Sequence, residues 1–387
     1  MSKINDLIKK LCPNGVEFKK IIDIAEVGTG SSNRQDAVED GVYPFYVRSK
    51  EVFRINKFEY NEEAIIIPGE GGVGEIFHYV NGKYALHQRA YRIHIVDNRM
   101  RTKFLYYYMF NSFKDFIMLK AVNATVTSIR KPMIEQFSVP IPPIEVQEEI
   151  IRILDKFGEL ETELETELET RKSQYEFWRE KLIDGRKKIY TKLGSLCKII
   201  TKGTTPKKYA DTGINFIKTE AFVGDYVDKA KLSFVDEETH NGFLKRSILE
   251  ENDILFTIAG ATIGKMTVVT NDLLPANTNQ ALAIIRLNDD VNLNYIKHIL
   301  KSNYMKDYIK LCVKGSAQPN LNLQQLNNFE FPFPSAEEQE RIVNILDKFD
   351  KLVNDISVGL PAEIELRRKQ YEYYRNRLLS FEELTNE

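Results

Sequence analysis

Residues 137–183 read FSVPIPPIEVQEEIIRILDKFGELETELETELETRKSQYEFWREKLI, and residues 329–379 read FEFPFPSAEEQERIVNILDKFDKLVNDISVGLPAEIELRRKQYEYYRNRLL. The second stretch repeats the first. Gln147 falls on Gln339, and Leu154-Asp155-Lys156-Phe157 on Leu346-Asp347-Lys348-Phe349, at an offset of 192. Lys172-Ser173-Gln174-Tyr175 falls on Arg368-Lys369-Gln370-Tyr371 at an offset of 196, so the second copy carries four extra residues in between. This distance lies outside solenoid periods of roughly 20–50 residues. The chain reads as two large copies of one unit.

Each copy predicts a long helix. Prolines (Pro140, Pro142 and Pro143; Pro332 and Pro334) precede acidic residues and then a helical apolar pattern, which is a helix start signal. In the first copy, positions 150, 157, 164, 171 and 178 form one heptad series and 154, 161, 168, 175 and 182 its companion. All but Arg171 and Glu161 are apolar or aromatic, the signature of a coiled-coil seam. A helix of about 40 residues would span ~60 Å. The second copy should be interrupted near Gly359 and Pro361, because proline cannot continue helical backbone bonding.

The 387 residues leave room for two or more domains, and 43% hydrophobic content suits globular folding. No apolar run reaches the roughly 18 residues of a membrane span, and the opening MSKINDLIKKLC has no secretory apolar core. A cytoplasmic protein without membrane contact is expected. Cys12, Cys197 and Cys312 are far apart, so neither a disulfide framework nor a zinc site is indicated. Charge is nearly balanced in total, at 54 basic and 56 acidic residues, but unevenly placed. Residues 1–136 carry net +4, 137–184 net −7, 185–328 net +6 and 329–387 net −5. These four segments are the expected domains: globular unit, spacer helix, globular unit, spacer helix. Basic globular units suit a polyanion.

The two globular units run in parallel. A strand-like stretch (21–30; 193–203) ends in Gly30 or Gly203. Short β-rich segments follow, at 43–47 and 64–67 in the first unit and 216–218 and 254–258 in the second. Next comes a glycine turn, Gly69-Glu70-Gly71-Gly72-Val73-Gly74 or Gly260-Ala261-Thr262-Ile263-Gly264-Lys265, and then Gln88 or Gln280. Helical stretches (103–120; 293–311) and polar loops (122–130; 313–322) close each unit.

Little in the chain suggests catalysis. Gly69 to Gly74 satisfies G-x-G-x-x-G, but residues 75–82 look like a strand and turn where a dinucleotide site needs a helix. Gly260 to Lys265 is one residue short of a P-loop, with Met266 in place of the magnesium-binding hydroxyl. Both read as structural turns. The five histidines lack metal spacing, and no methyltransferase or nuclease motif is present. What remains is binding chemistry. The loops around the glycine turns carry Ser31, Ser32, Arg34, Arg48, Lys50, Arg54 and Arg89 in the first unit. The second offers Lys202, Thr204, Thr205, Lys207, Lys208, Lys218, Lys265, Asn279, Gln280, Gln318, Asn320 and Asn322. Arginine and lysine suit phosphates and guanine edges, asparagine and glutamine adenine edges.

Along nearly its whole length the chain resembles the DNA-specificity (S) subunit of type I restriction–modification systems. The resemblance rests on Gly260 to Lys265, Asn279-Gln280-Ala281-Leu282-Ala283 and Gly315-Ser316-Ala317-Gln318-Pro319-Asn320-Leu321. It rests too on both proline-led helix starts and on Tyr371-Glu372-Tyr373-Tyr374-Arg375-Asn376-Arg377-Leu378-Leu379. In the first half, Asn123-Ala124-Thr125-Val126-Thr127-Ser128-Ile129 replaces the glycine-led loop. The resemblance implies an α+β chain in which two target-recognition domains are held apart by two long antiparallel coiled-coil helices, an internal pseudo-two-fold repeat. Each domain would read half of a split, asymmetric site in double-stranded DNA. The helices would dock two methyltransferase subunits, and a motor-nuclease restriction subunit is an optional further partner. No cofactor is expected on this chain, since S-adenosylmethionine, and ATP and magnesium for restriction, belong to those partners. Tyr175, Trp178, Tyr371, Tyr373 and Tyr374 are the expected interface anchors. Alternatives are a stand-alone methyltransferase or nuclease, a coiled-coil scaffold without nucleic acid, or a specificity subunit of a methylation-only or type II system.

Overall fold

The computed structural model describes residues 2–72, 74–120, 128–184, 189–313, 320–355 and 357–384. In chain order the first elements are α1 (Ser2–Leu11), β1 (Glu17–Lys20), α2 (Ile21–Ile24), β2 (Ala25–Thr29), β3 (Tyr43–Tyr46), β4 (Val52–Ile55), β5 (Tyr60–Pro68), β6 (His78–Leu86), β7 (Ala90–Ile95), α3 (Thr102–Lys120), α4 (Lys131–Glu135), β8 (Ser138–Ile141) and α5 (Ile144–Ile183). There follow β9 (Tyr190–Lys192), β10 (Cys197–Lys202), β11 (Ile214–Ile217), β12 (Phe222–Val223), β13 (Tyr226–Val227), β14 (Ser233–Val235), α6 (Glu237–Asn241), β15 (Ile254–Thr257), β16 (Met266–Val268), β17 (Ala276–Thr278) and β18 (Leu282–Leu287). The chain ends with α7 (Leu293–Lys301), α8 (Asn303–Val313), α9 (Leu323–Asn328), β19 (Glu330–Pro332), α10 (Ala336–Asn354) and α11 (Leu360–Leu378). Contacts divide it into two units, Met1–Glu163 with Ile364–Glu387, and Leu164–Glu363.

The first unit is built on a six-stranded sheet in the order β2-β7-β5-β6-β3-β4, antiparallel except for the β3–β6 pair. The apolar run Ala64 to Ile67 lies in its middle and is buried on both faces, which is why it does not alternate. On one face Ile65, Ile67 and Ile93 pack with Phe104, Met109 and Phe113 of α3, and on the other Ala64 and Ile66 join Tyr84 and Leu86. The stretch expected as one strand at 21–30 begins as the helical turn α2, and β2 follows. Gly82, expected in a turn, sits inside β6 opposite Glu62. β1 pairs with β8, so the proline-led segment closes the unit beyond the boundary expected at residue 136. Gln147, fully buried, ties it down: its amide donates to the carbonyls of Pro142 and Arg99, both at 2.7 Å, and accepts from the Arg101 amide at 2.8 Å. Asp155 accepts from Lys103 at 2.7 Å and from Tyr107 at 2.5 Å. Phe157 packs on Tyr371 and Tyr374 of α11 at 6.0 and 5.6 Å, and Glu161, polar in the heptad series, accepts from Arg368 at 2.6 Å.

The second unit has the strand orders β10-β18-β15-β16 and β14-β11-β17, with β11 and β17 parallel. One long strand, β6, pairs with both β5 and β3 in the first unit; here that work falls to two short strands, β16 beside β15 and β17 beside β11. The single helix expected at 293–311 is α7 and α8, parted at buried Ser302, whose hydroxyl donates to the Ile299 carbonyl. β9 pairs with β19, again closing the unit past the expected boundary, at residue 328. Gln339 repeats the part of Gln147, donating to the Pro334 carbonyl at 2.8 Å. Asp347 meets His298 at 2.7 Å where Asp155 met Lys103. Tyr175 of α5 stacks on Phe349 at 6.3 Å. In both units, therefore, the tyrosine of one copy of the repeat packs on the phenylalanine of the other. The second copy breaks between α10 and α11, as expected: a Cβ at Gly359 would lie 2.6 Å from the Lys351 and Asp355 carbonyl oxygens.

Candidate nucleic-acid interface

In the first unit four loops converge. Gly30 makes the first approach possible, since a Cβ there would lie 1.8 Å from the Leu86 carbonyl oxygen. Beyond it, Ser31 and Ser32 both donate to the Glu59 carboxylate, at 3.1 and 2.5 Å. Ser32 is fully buried, so this hydroxyl fixes the loop and does not face a ligand, which corrects its expected role. The loop then presents Arg34, whose guanidinium lies 3.5 Å over the Phe53 ring. Arg48 comes from the β3–β4 loop, Glu70 from the glycine turn and Arg89 from the β6–β7 corner. Glu70 accepts from Arg48 at 2.9 Å and from Arg89 at 3.0 Å. The Arg89 hydrogen bond, seconded by Arg48, holds the Glu70 carboxyl below its usual range. Arg34, Arg48, Glu70 and His87 line one depression of about 490 Å³, which continues to Asn33, Gln35, Gln88 and Arg89. Burial, then Arg48 and Arg89, push the His87 imidazole below its ordinary value. Gln88 donates to the Asn33 side-chain oxygen at 2.5 Å. Lys50 is exposed near its loop's end, and exposed Arg54 lies on β4 outside the depression.

The sequence reading missed Asn33, Gln88, Glu70 and His87. The 192 offset between Gln88 and Gln280 was a signal for one of them.

The second unit repeats the frame with other side chains. A Cβ at Gly203 would lie 2.1 Å from the Asn279 carbonyl oxygen, and Thr204 donates its amide to Thr278. Thr205 donates to the Gln280 side-chain oxygen, the counterpart of the Asn33–Gln88 contact. Lys207 lies over Phe243 and Lys218 over Tyr209, while Lys202 and Lys208 are exposed. Two expected residues have structural tasks: Asn279 accepts from the Ala281 amide at the corner, and Asn322 caps α9 by accepting from the Gln325 amide at 2.8 Å. Exposed Asn320 bridges to Ala259. Lys265 lines a different cavity, of about 540 Å³, with Tyr175, Arg179 and Lys301. Gln318 lies outside the described residues.

Among the expected anchors, Tyr175 is buried. It is 4% exposed, stacked on Phe349 and donating to Asp350 at 3.0 Å. Tyr371 and Tyr374 are half-buried around Phe157. Trp178 and Tyr373 stay exposed, at 38% and 59%. The heptad series had placed Trp178 in the seam. A straight helix drifts from that series by ~20° per heptad, and the end of α5 packs on the domain core through Ile183. Tyr175, Arg179 and Ile183, four apart, are buried there instead.

Among the described residues no cluster of three or more histidine, cysteine, aspartate or glutamate side chains could hold a metal, and no helix is long and apolar enough to cross a membrane. The sequence model of the type I restriction modification DNA specificity domain matches residues 13–171 and again 188–366. The chain is 31% identical to the type I restriction enzyme EcoR124I/EcoR124II specificity subunit of Escherichia coli over 74% of its own length and 72% of that protein's. It is 30% identical to a putative type I restriction enzyme specificity subunit of Haemophilus influenzae, covering 97% and 98%. Among solved structures, the S subunit of a type I restriction-modification system from M. genitalium matches with TM-score 0.58 at 17% identity, covering 94% of this chain and 96% of that one. A chain solved to explain complex assembly and conformational transition of the type I R-M system matches with TM-score 0.59 at 14% identity, covering 95% and 98%. At these identities the structural matches show the fold.

Proposed function

Since this chain belongs to the type I restriction-modification DNA specificity family, whose members are non-catalytic specificity subunits, we propose that it selects a split DNA site for a methyltransferase it does not itself contain. The observation that carries this is the doubled domain, matched at residues 13–171 and at 188–366, each copy gathering exposed cations around the same glycine-and-glutamine frame. Each unit reads one half-site by phosphate contacts that position it and base contacts that specify. The frames agree while the side chains differ, so the half-sites differ and the whole site is asymmetric.

The repeated helices set the separation of the half-sites. The reciprocal packing of Phe157 on Tyr371 and Tyr175 on Phe349 supports an antiparallel coiled-coil pair. Exposed Trp178 and Tyr373 suit the docking of two methyltransferase subunits, because buried aromatics dominate interface energies. S-adenosylmethionine belongs to those subunits. ATP and magnesium belong to a restriction subunit where one joins. The complex works in the cytoplasm, on the cell's own DNA.

The test is reconstitution. The purified chain alone transfers no methyl group to DNA, and with its methyltransferase subunit it methylates one split sequence. Binding to that duplex weakens steeply with salt, since each neutralised phosphate releases counterions. Methylation by the chain alone, or an unsplit site, overturns the proposal.

A further inference from the structure

We infer that the first unit reads a half-site containing an adenine and a guanine, through the Asn33–Gln88 amide pair and the Glu70-tethered arginines Arg48 and Arg89. This rests on the proposed DNA reading and names the base chemistry of one half. The amide pair comes first. Gln88 donates through Nε2 to Oδ1 of Asn33, at 2.5 Å. That bond uses one donor and one acceptor. It leaves Oε1 of Gln88 and Nδ2 of Asn33, an acceptor and a donor on two amides joined by one bond at the edge of the depression. Adenine shows the complementary pair in the major groove, the N6 donor beside the N7 acceptor. A single glutamine must be oriented by the base it meets; two linked amides are oriented beforehand.

The arginines make the second argument. Glu70 receives Nη1 of Arg48 and Nη1 of Arg89 on the same carboxylate oxygen, at 2.9 and 3.0 Å. Among the described residues, the Nε and Nη2 of both arginines have no hydrogen-bond partner. One carboxylate between two guanidiniums leaves the pair net positive, and the Nε–Nη2 edge of each remains as a fork of donors. A fork of two N–H donors matches O6 and N7 of guanine. These ion pairs are exposed on both sides, at 44% and 57% for the arginines and 40% for Glu70, so water screens them and they hold direction more than energy. Gln88 and Arg89 are consecutive, which puts the amide pair and a fork on one corner.

The second unit sharpens the contrast. There the Gln280 side-chain oxygen accepts from the Thr205 hydroxyl, where in the first unit the glutamine donates to Asn33. The stretch that carries Thr205 bears exposed Lys202, Lys207 and Lys208 where the first unit's loops bear arginines, and lysine is a point charge without a fork.

The experiment maps methylated bases on a random-sequence plasmid library in cells carrying this chain with its methyltransferase subunit. The expected half-site changed by first-unit substitutions contains an adenine and a guanine. Asn33→Ala with Gln88→Ala relaxes the adenine position alone, and Arg48→Ala with Arg89→Ala the guanine position alone, each by about tenfold or more. Arg89→Lys, which keeps charge and loses the fork, relaxes guanine as well. The half-site read by residues 164–363 stays as it was in every variant, which also shows that the chain is folded. A first half-site lacking adenine or guanine, or one unchanged by these substitutions, overturns the inference while the split site leaves the proposed function standing. No methylated split site with the unsubstituted chain overturns both.

Discussion

At the scale of single residues, the repeat preserves side chains that fasten helix to domain. Gln147 and Gln339 each hold the carbonyl of a proline five residues back, and Gln147 adds two backbone partners. Substituting Gln147→Ala strands those groups in a buried site, where an unsatisfied polar group costs about 1–3 kcal/mol. Thermal melting should show a loss of about 2–3 kcal/mol in Gln147→Ala and about 1 kcal/mol in Gln339→Ala, the order following the number of bonds. Equal melting of both variants with the parent would refute this account. The histidines predict a pH dependence. Burial foremost lowers His78 and His87 from the ordinary value of 6.5, so folding disfavours their protonated forms. Above about pH 6.5 neither the folded nor the unfolded chain protonates them. Below it the unfolded chain takes up more protons at these two sites than the folded one, and stability falls with pH. Replacing both with glutamine should flatten the melting profile below about pH 6.5. A slope identical to the parent's would exclude these two groups as its source.

At the scale of elements, the sequence disclosed what periodicity and punctuation encode, and little else. The 40-residue α5 and the break ahead of Pro361 were legible because a helix shows its spacing and proline its exclusion. The β5 centre was legible as an apolar run. The division of one strand's work between β16 and β17 was not, because a strand's continuity depends on which neighbours it finds. Nor was the exposure of Trp178, which is set by where the helix leaves its partner for the domain core. The arginine cluster was legible residue by residue but not as a cluster, since Glu70 joins loops 22 and 19 residues apart. One element carries a sharper consequence. Residues 159–170 are Glu-Leu-Glu-Thr three times over, inside an unbroken helix, and Thr162 and Thr170 donate back to the carbonyls of Gly158 and Thr166. Such a unit can be removed without opening the helix. Four residues are ~6 Å of helix and a net rotation of ~40°. A DNA base pair is ~3.4 Å and roughly 35°. Rotation decides, because a domain turned off its groove loses contact, whereas bending absorbs a few ångströms. Deleting residues 163–166 should shorten the unread spacer by about one base pair and leave both half-sites unaltered, as read by methylome mapping. An unchanged spacer would show that the repeat is not the ruler.

At the scale of the whole molecule, the proposed function requires two recognition units that fold and read separately. Each globular part closes on itself by pairing its last strand with its first: β8 with β1, and β19 with β9. The backbone bond from Phe333 to Ile189 extends the second closure by one step. A unit closed this way should be exchangeable if the cuts fall outside the pair. An exchange of residues 185–328, the segment charge alone suggests, would sever β19 from β9 and take only half of the ladder. An exchange of residues 189–333 keeps it whole, along with the Thr205–Gln280 frame. What it leaves behind are the core contacts of α5 and α10, where Tyr175, Ile183, Ile342 and Leu346 meet Ile299 and Tyr295. A donor with similar apolar residues at those last two positions should therefore fold, since volume-conserving core changes usually cost less than about 1.5 kcal/mol. The chimera should methylate a site in which one half-site is the donor's, with the other half-site and the spacer length as in the parent. Altered bases in both half-sites would mean that the two units read DNA jointly. A changed spacer with intact half-sites would place the ruler in the globular parts and not in the helices.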